Sequence, residues 1–313
     1  MSTPNVPGAG SRRADSRADL LPPQDLAALG GLEFIAQRVV EGFITGLHRS
    51  PHRGFSVEFA EHRMYQPGDD LRYVDWRMFG RSDRYYIKQF EEETNLRCYI
   101  LADVSASMAW TSSEGTLPPK LWYAKQLAAS IALLLMRQGD AVGLVGFDDR
   151  TRAHLQPRGG RRHWRELVRS LEALAASGET DAGSALRDLT GRLRRQGLVI
   201  LISDLLVDPE ATRTALRFLR HRGHEVLVFH LLDPGERELP GVGEARFIDP
   251  ETGEEVPVSV ADLRREYREA VEHAIAEWRA ALTPHGIDYI LVETDQPMVH
   301  ALRAYLHKRE RLG

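Results

Sequence analysis

The sequence predicts an α/β fold, a mostly parallel sheet with helices on both faces. Three observations carry this. The segments RCYILA (97–102), AVGLVGF (141–147) and LVILIS (198–203) are apolar on both faces, as strands buried between two helix layers must be. Helical stretches separate them, giving the strand–helix alternation of right-handed crossovers. The loops after the strands carry acidic and hydroxyl residues, at the edge where open parallel sheets hold their ligands.

Taken in order, residues 1–22 are rich in Ser, Arg, Ala, Asp and Pro without an apolar period, and are expected to form a disordered tail. A helix is expected over 23–45, with Leu26, Leu29, Phe34, Val39, Val40 and Phe43 on its buried face. Residues 48–95 hold nine of the 24 aromatic residues of the chain, with eight Lys/Arg and nine Asp/Glu, so they are neither a linker nor a basic strip. Short strands are expected there at 55–59 and 85–90, with a turn at Gln66-Pro67-Gly68-Asp69. The main domain is expected over 96–313, with the aromatic-rich segment packed against it. Its strands are predicted at 97–102, 141–147, 198–203, 225–231 and 287–292, with a short partner strand at 151–155. Its helices are predicted at 120–137, 161–176, 182–195, 209–222, 261–282 and 297–310. One interruption, 233–260, reads as a hairpin insertion carrying eight acidic residues against two Arg.

Composition excludes several classes. The single cysteine, Cys98, permits no internal disulfide and no four-cysteine zinc site, and reads as a small buried hydrophobe. A net charge of -4 gives no support to a dedicated nucleic-acid binder. The basic residues are 37 Arg and four Lys, so the group Arg158, Arg161, Arg162, Arg165 and Arg169 reads as a solvated helix face rather than a phosphate site. The longest apolar stretch, Leu127–Met136, is too short to span a bilayer, and the N-terminus has no signal-peptide core. A cytoplasmic location is expected. No Walker A string is present, so the chain is not expected to hydrolyse ATP.

The chemistry is concentrated at three strand-end loops. Asp103-Val-Ser105-Ala-Ser107 follows the first strand, Gly178-Glu-Thr180-Asp-Ala-Gly183 precedes a helix, and Asp204 follows LVILIS. Two carboxylates and three hydroxyls suit a hard divalent cation such as Mg2+, or Mn2+ or Ca2+, and without nitrogen or sulfur ligands they do not suit zinc. With only two formal charges facing it, such an ion keeps an electron-poor face for an outside carboxylate. The structural alternative is that Ser105 and Ser107 cap a helix onset and Asp204 caps the next helix.

The order DVSAS, GETDAG, LVILISD resembles the metal-ion-dependent adhesion site of von Willebrand factor A domains. The resemblance implies a Rossmann-like sheet with one short antiparallel strand, and direct or water-bridged metal roles for Asp103, Ser105, Ser107, Thr180 and Asp204. A second resemblance rests on Phe59-Ala-Glu61-His-Arg63-Met-Tyr65-Gln-Pro67-Gly68-Asp69-Asp70-Leu-Arg72-Tyr73-Val-Asp75-Trp76-Arg77, with Gly80-Arg81 and Lys88-Gln89-Phe90-Glu91-Glu92-Glu93. It is similar to the bacterial family catalogued as domain of unknown function 58, which joins this segment to a von Willebrand A-like domain. The resemblance implies a MoxR-type AAA+ ATPase, or its client, as partner. Many members carry N-terminal membrane helices, and none is evident in this sequence.

The expected function is a non-enzymatic, divalent-metal-dependent protein-interaction module, an adaptor or co-chaperone with no catalytic residues. The alternative is a magnesium-dependent, phosphatase-like hydrolase using the same acidic site. A dehalogenase-type enzyme would need an acid two residues after its nucleophilic Asp, and that place is held by Ser105.

Overall fold

The computed structural model of the chain describes residues 30–48, 62–64, 80, 84–88, 96–113, 116–178, 186–187, 191, 193, 195–239, 244–248 and 255–309. Six strands form one sheet: β3 (Arg97–Asp103), β4 (Ala141–Phe147), β5 (Thr151–Arg158), β6 (Leu198–Ser203), β7 (Glu225–Leu232) and β10 (Asp288–Glu293), in the order β10-β7-β6-β3-β4-β5. All neighbours are parallel except β5, which runs antiparallel to β4 at one edge. This is the expected α/β arrangement, a mostly parallel sheet with one antiparallel edge strand. Chain order reverses direction across the sheet beside β3, so the ends of β3 and β6 flank the crevice of the topological switch.

Alternation along each strand divides the core. Cys98, Ile100 and Ala102 of β3 face one apolar layer with α1 (Leu32–His48), α2 (Lys120–Arg137), α3 (Arg161–Ala173) and α7 (Val299–Arg309). Tyr99 and Leu101 face the other, with α4 (Pro209–His221) and α6 (Val260–Leu282). Period-2 side-chain direction thus explains why strands apolar at every position sit between two helix layers. Close approach at the β3–β6 neighbourhood requires a glycine. A Cβ at Gly197 would overlap the Arg97 carbonyl oxygen.

Helix α1 belongs to the first layer, burying Leu32, Ala36, Val40 and Phe43 against α2. Phe34, expected on the buried face, is 47% exposed and Ile35 is buried in its place, while Val40 and Phe43 are buried as expected. A two-stranded ribbon pairs β1 (His62–Met64) with β2 (Tyr86–Lys88). The expected strand at 55–59, the turn at 66–69, the tail 1–22 and most of the aromatic-rich segment lie outside the described residues. So does most of the expected helix at 182–195.

The interruption at 233–260 contains a hairpin of β8 (Glu244–Ile248) and β9 (Glu255–Ser259), as expected, preceded by a five-residue helix, α5 (Pro234–Glu238), that the sequence reading placed in the loop. Strand β5 runs to Arg158, three residues past its expected end, because Arg158 still pairs with Val142 across an irregular register. Arg158, Arg161, Arg162, Arg165 and Arg169 are exposed, while His163 and Trp164 are buried, with His163 Nε2 donating to the Val142 carbonyl (2.7 Å). Cys98 is buried among apolar neighbours. No helix among the described residues is long and apolar enough to cross a membrane.

Candidate metal centre

Strand β3 ends on Asp103 and the chain turns at once. Ser105 N–H donates to Asp103 Oδ1 (2.9 Å), and a 3-10 turn over Ala106–Ala109 follows, anchored by fully buried Met108. That turn brings the hydroxyls of Ser105 and Ser107, two residues apart, to 3.0 Å from each other inside the protein. Neither serine side chain caps the turn's backbone. The parallel pairing of β3 with β6, Ala102 opposite Ile202, brings Ser203 alongside Asp103. Ser203 Oγ donates to Asp103 Oδ2 (2.6 Å) and accepts from Leu205 N (2.9 Å).

Asp204 follows, fully buried. Leu205 takes a left-handed backbone with φ of 55°, a conformation that costs a β-carbon-bearing residue on the order of 1–2 kcal/mol. Leu206 N–H donates to Asp204 Oδ1 (3.2 Å). Asp204 does not cap the next helix. Asp208 does, accepting from Glu210 N and Ala211 N. Both serines and both aspartates are therefore free of the helix-capping roles that would have explained them away.

The chain returns to this place a third time. Ser177 N donates to the Val104 carbonyl (2.9 Å) and Ala106 N to the Gly178 carbonyl (3.1 Å). Gly178 has φ of 76°, and a β-carbon there would crowd Asp148 and Arg152. Thr180, two residues on, lies outside the described residues. Of the five expected positions, four meet at one strand edge.

Two further charged residues enter the site. Lys120, the first residue of α2, is fully buried, and its Nζ donates to Asp204 Oδ2 (2.7 Å) and to Glu236 Oε1 of α5. Glu236 is held by its second oxygen, which accepts from Asp233 N (2.9 Å) in a capping box. The sequence reading missed both residues. A signal was present for one: Lys120 is one of four Lys against 37 Arg, and a compact ammonium suits a buried place between two carboxylates.

The electrostatics follow from this inventory. Burial, and then the neighbouring charge of Asp204, push the Asp103 carboxyl up to about 7 against the hydrogen bonds from Ser203 and Ser105. Burial alone would lower the Lys120 ammonium's pKa. The charges of Asp204 and Glu236 and their hydrogen bonds reverse this and keep it above the ordinary lysine value. With every carboxyl ionised, Asp103, Asp204 and Glu236 carry three negative charges against one on Lys120, a formal excess of two. Among the described residues no three His, Cys, Asp or Glu side chains converge as a metal cluster; the donors here are two carboxylates with two hydroxyls. Each carboxylate oxygen has about two lone-pair directions, and the hydrogen bonds to Asp103 and Asp204 do not use them all. The donor chemistry and the charge excess both fit one hard divalent cation.

The model of the family "Protein of unknown function DUF58" matches residues 61–277. Uncharacterized protein Rv1480 of Mycobacterium tuberculosis is 28% identical over 300 residues, covering 94% of this chain and 93% of that protein. Uncharacterized protein MAV169 of Mycobacterium avium is 29% identical over 132 residues, covering 42% of this chain and 77% of that protein. Among solved structures, the conserved hypothetical protein BatB from Bacteroides thetaiotaomicron superposes with a TM-score of 0.44 at 16% identity, covering 69% of this chain and 99% of that chain. The VWA domain of SpRpn10 gives a TM-score of 0.40 at 12% identity, covering 67% and 94%.

Proposed function

This chain belongs to the DUF58 family, and from that premise we propose that it is a non-enzymatic protein-interaction module whose contact centre is a divalent-cation site. Asp103, Ser105, Ser107 and Asp204 would hold the ion, with Thr180 as the fifth member that the resemblance implies. Bound there, Mg2+, or Mn2+ or Ca2+, supplies an electron-poor centre that accepts a carboxylate oxygen from a partner protein. The partner we propose is a MoxR-type AAA+ ATPase or its client, with this chain acting as adaptor or co-chaperone in the cytoplasm.

The observation that carries the reading is the buried polar cluster at the ends of β3 and β6, two carboxylates and two hydroxyls with no helix-capping duty, beside which one ammonium stands against three carboxyl groups. Burial makes ionisation of these carboxyls costly, and a cation held between them would offset that cost. The hydrolase alternative finds no support in the same geometry. The position two residues after Asp103 offers no acid; the Ser105 hydroxyl there is paired with Ser107.

The test is titration of the purified protein with Mg2+ and Mn2+ by calorimetry, alongside thermal unfolding. An ion that binds the folded chain raises the melting temperature with occupancy. Asp103→Ala should abolish both signals while the circular dichroism stays that of a folded α/β protein. Silence at millimolar metal of both the wild type and a folded variant freed of the Lys120 ammonium would remove the site as drawn. Turnover of a generic phosphate ester that depends on Asp103 would favour the hydrolase instead.

A further inference from the structure

Lys120 is unusual on three counts. Its side chain is fully buried, it stands at the first turn of a helix, and it contacts a residue of the candidate metal centre. A cation at a helix N-terminus opposes the helix dipole, so nothing in α2 itself favours it there. Its place is explained only by the two carboxylates it touches, Asp204 from the β6 edge and Glu236 from α5.

We propose that Lys120 is a resident counter-cation of the metal centre. It neutralises Asp204 whenever no divalent ion is bound, and it sets the affinity of the site by opposing a second positive charge. The proposal rests on the metal-site reading above. Two consequences follow from the geometry. The fold does not need metal to be stable, because Asp204 already has a cationic partner at 2.7 Å. Glu236 gives the ammonium a second carboxylate to rest on when Asp204 is engaged elsewhere, which links α5 to the state of the site.

The test uses the full-length protein stripped with chelator and Mn2+ as the probe, read by calorimetry and by thermal unfolding. Lys120→Met combined with Glu236→Gln removes one positive and one negative charge and leaves the excess of two unchanged. It frees Asp204 without leaving a buried charge alone on α5. This double variant is expected to bind Mn2+ at least tenfold more tightly than the wild type, with a lower melting temperature in chelator and a larger rise on adding metal. Glu236→Gln alone leaves the ammonium wholly on Asp204 and reduces the excess to one, so it is expected to bind Mn2+ several-fold more weakly. A silent wild type with a binding double variant also supports the proposal, as it shows the ammonium blocking the ion. Equal Mn2+ affinity in the wild type and the double variant would overturn it and leave Lys120 as a structural ion pair. If the double variant does not fold, wild-type affinity in Glu236→Gln overturns it equally. Silence in wild type and folded double variant alike would instead bring down the metal-site reading itself.

Discussion

His224 sits buried in the turn between α4 and β7, its ring edge-on to Tyr99 at 6.4 Å between centroids. Its Nδ1 is enclosed without a hydrogen-bond partner among the described residues. Burial chiefly, and the nearby Arg222 charge, lower its pKa from 6.5, against a hydrogen bond at the Gly197 backbone. The folded state therefore binds fewer protons here than the unfolded chain. The stability that follows is fully present above the unfolded value of 6.5 and is lost as pH falls below it. One such group contributes a slope of up to about 1.4 kcal/mol per pH unit in that window. Burial drives His230 in the same direction, to about 4, so the two act together. His224→Gln should flatten, without abolishing, the fall in urea-denaturation stability below pH 6.5. A slope equal to that of the wild type would show that His224 protonates without cost. Nothing in the sequence distinguished this histidine from the other eleven. Its burial depends on the α4–β7 turn closing over Tyr99, a tertiary event with no local signature.

At the scale of elements, Lys120 and Lys125 are where composition and packing meet. Lys125 lies one and a half turns after Lys120 on α2, almost fully buried, and its Nζ donates to the carbonyls of Glu172 (3.1 Å) and Leu174 (2.5 Å). It closes the C-terminal end of α3 from the neighbouring helix, where a cation complements both the exposed carbonyls and the dipole. Lys125→Met should leave those carbonyls unsatisfied and cost about 1–3 kcal/mol in urea denaturation, with an unchanged m-value. Lys125→Arg should not restore it, because a planar guanidinium does not fit a hole shaped for a compact ammonium. A wild-type curve for Lys125→Arg would count against this account. Regular elements were legible wherever the pattern was long: α2, β4 and β6 have the expected bounds, because apolar runs flanked by Pro118-Pro119, Gly139 and Gly197 leave little choice. The short helix α5 was not legible. Its PGERE sequence reads as a turn, and it is held by a capping box and by Tyr267 of α6 donating to the Glu236 carbonyl (2.8 Å). For the site, Asp103, Ser105, Ser107 and Asp204 were legible because they lie at or within four residues of the end of an apolar strand. Ser203 was hidden as the last letter of LVILIS, and Lys120 meets Asp204 across 84 and Glu236 across 116 positions of chain.

For the whole molecule, the charged centre has to be placed against the surface around it. Most large apolar side chains are inside, but Trp110 is 38% and Leu206 57% exposed. Both belong to the loops that build the centre. Trp110 N–H donates to the Ser107 carbonyl (3.2 Å), and Leu206 N–H to Asp204. A buried polar cluster bordered by exposed Trp and Leu has the anatomy of a protein contact, in which a few aromatic anchors at the centre carry most of the energy. The acidic hairpin, which follows α5 in the chain, would contribute charge steering rather than adhesion. Three outcomes follow for the complex with the proposed MoxR-type ATPase, measured by surface plasmon resonance in magnesium. Trp110→Ala should weaken it tenfold or more, at about 1.4 kcal/mol per factor of ten, with little change in melting temperature since the ring is not in the core. Chelator and Asp204→Asn should each weaken it by a similar factor, because both remove the bridging ion. Charge reversal at Glu255 should mainly slow association, and more so at low salt, as rim charges act on encounter. Undiminished affinity of Trp110→Ala in chelator would place the contact away from the strand ends of β3 and β6 altogether.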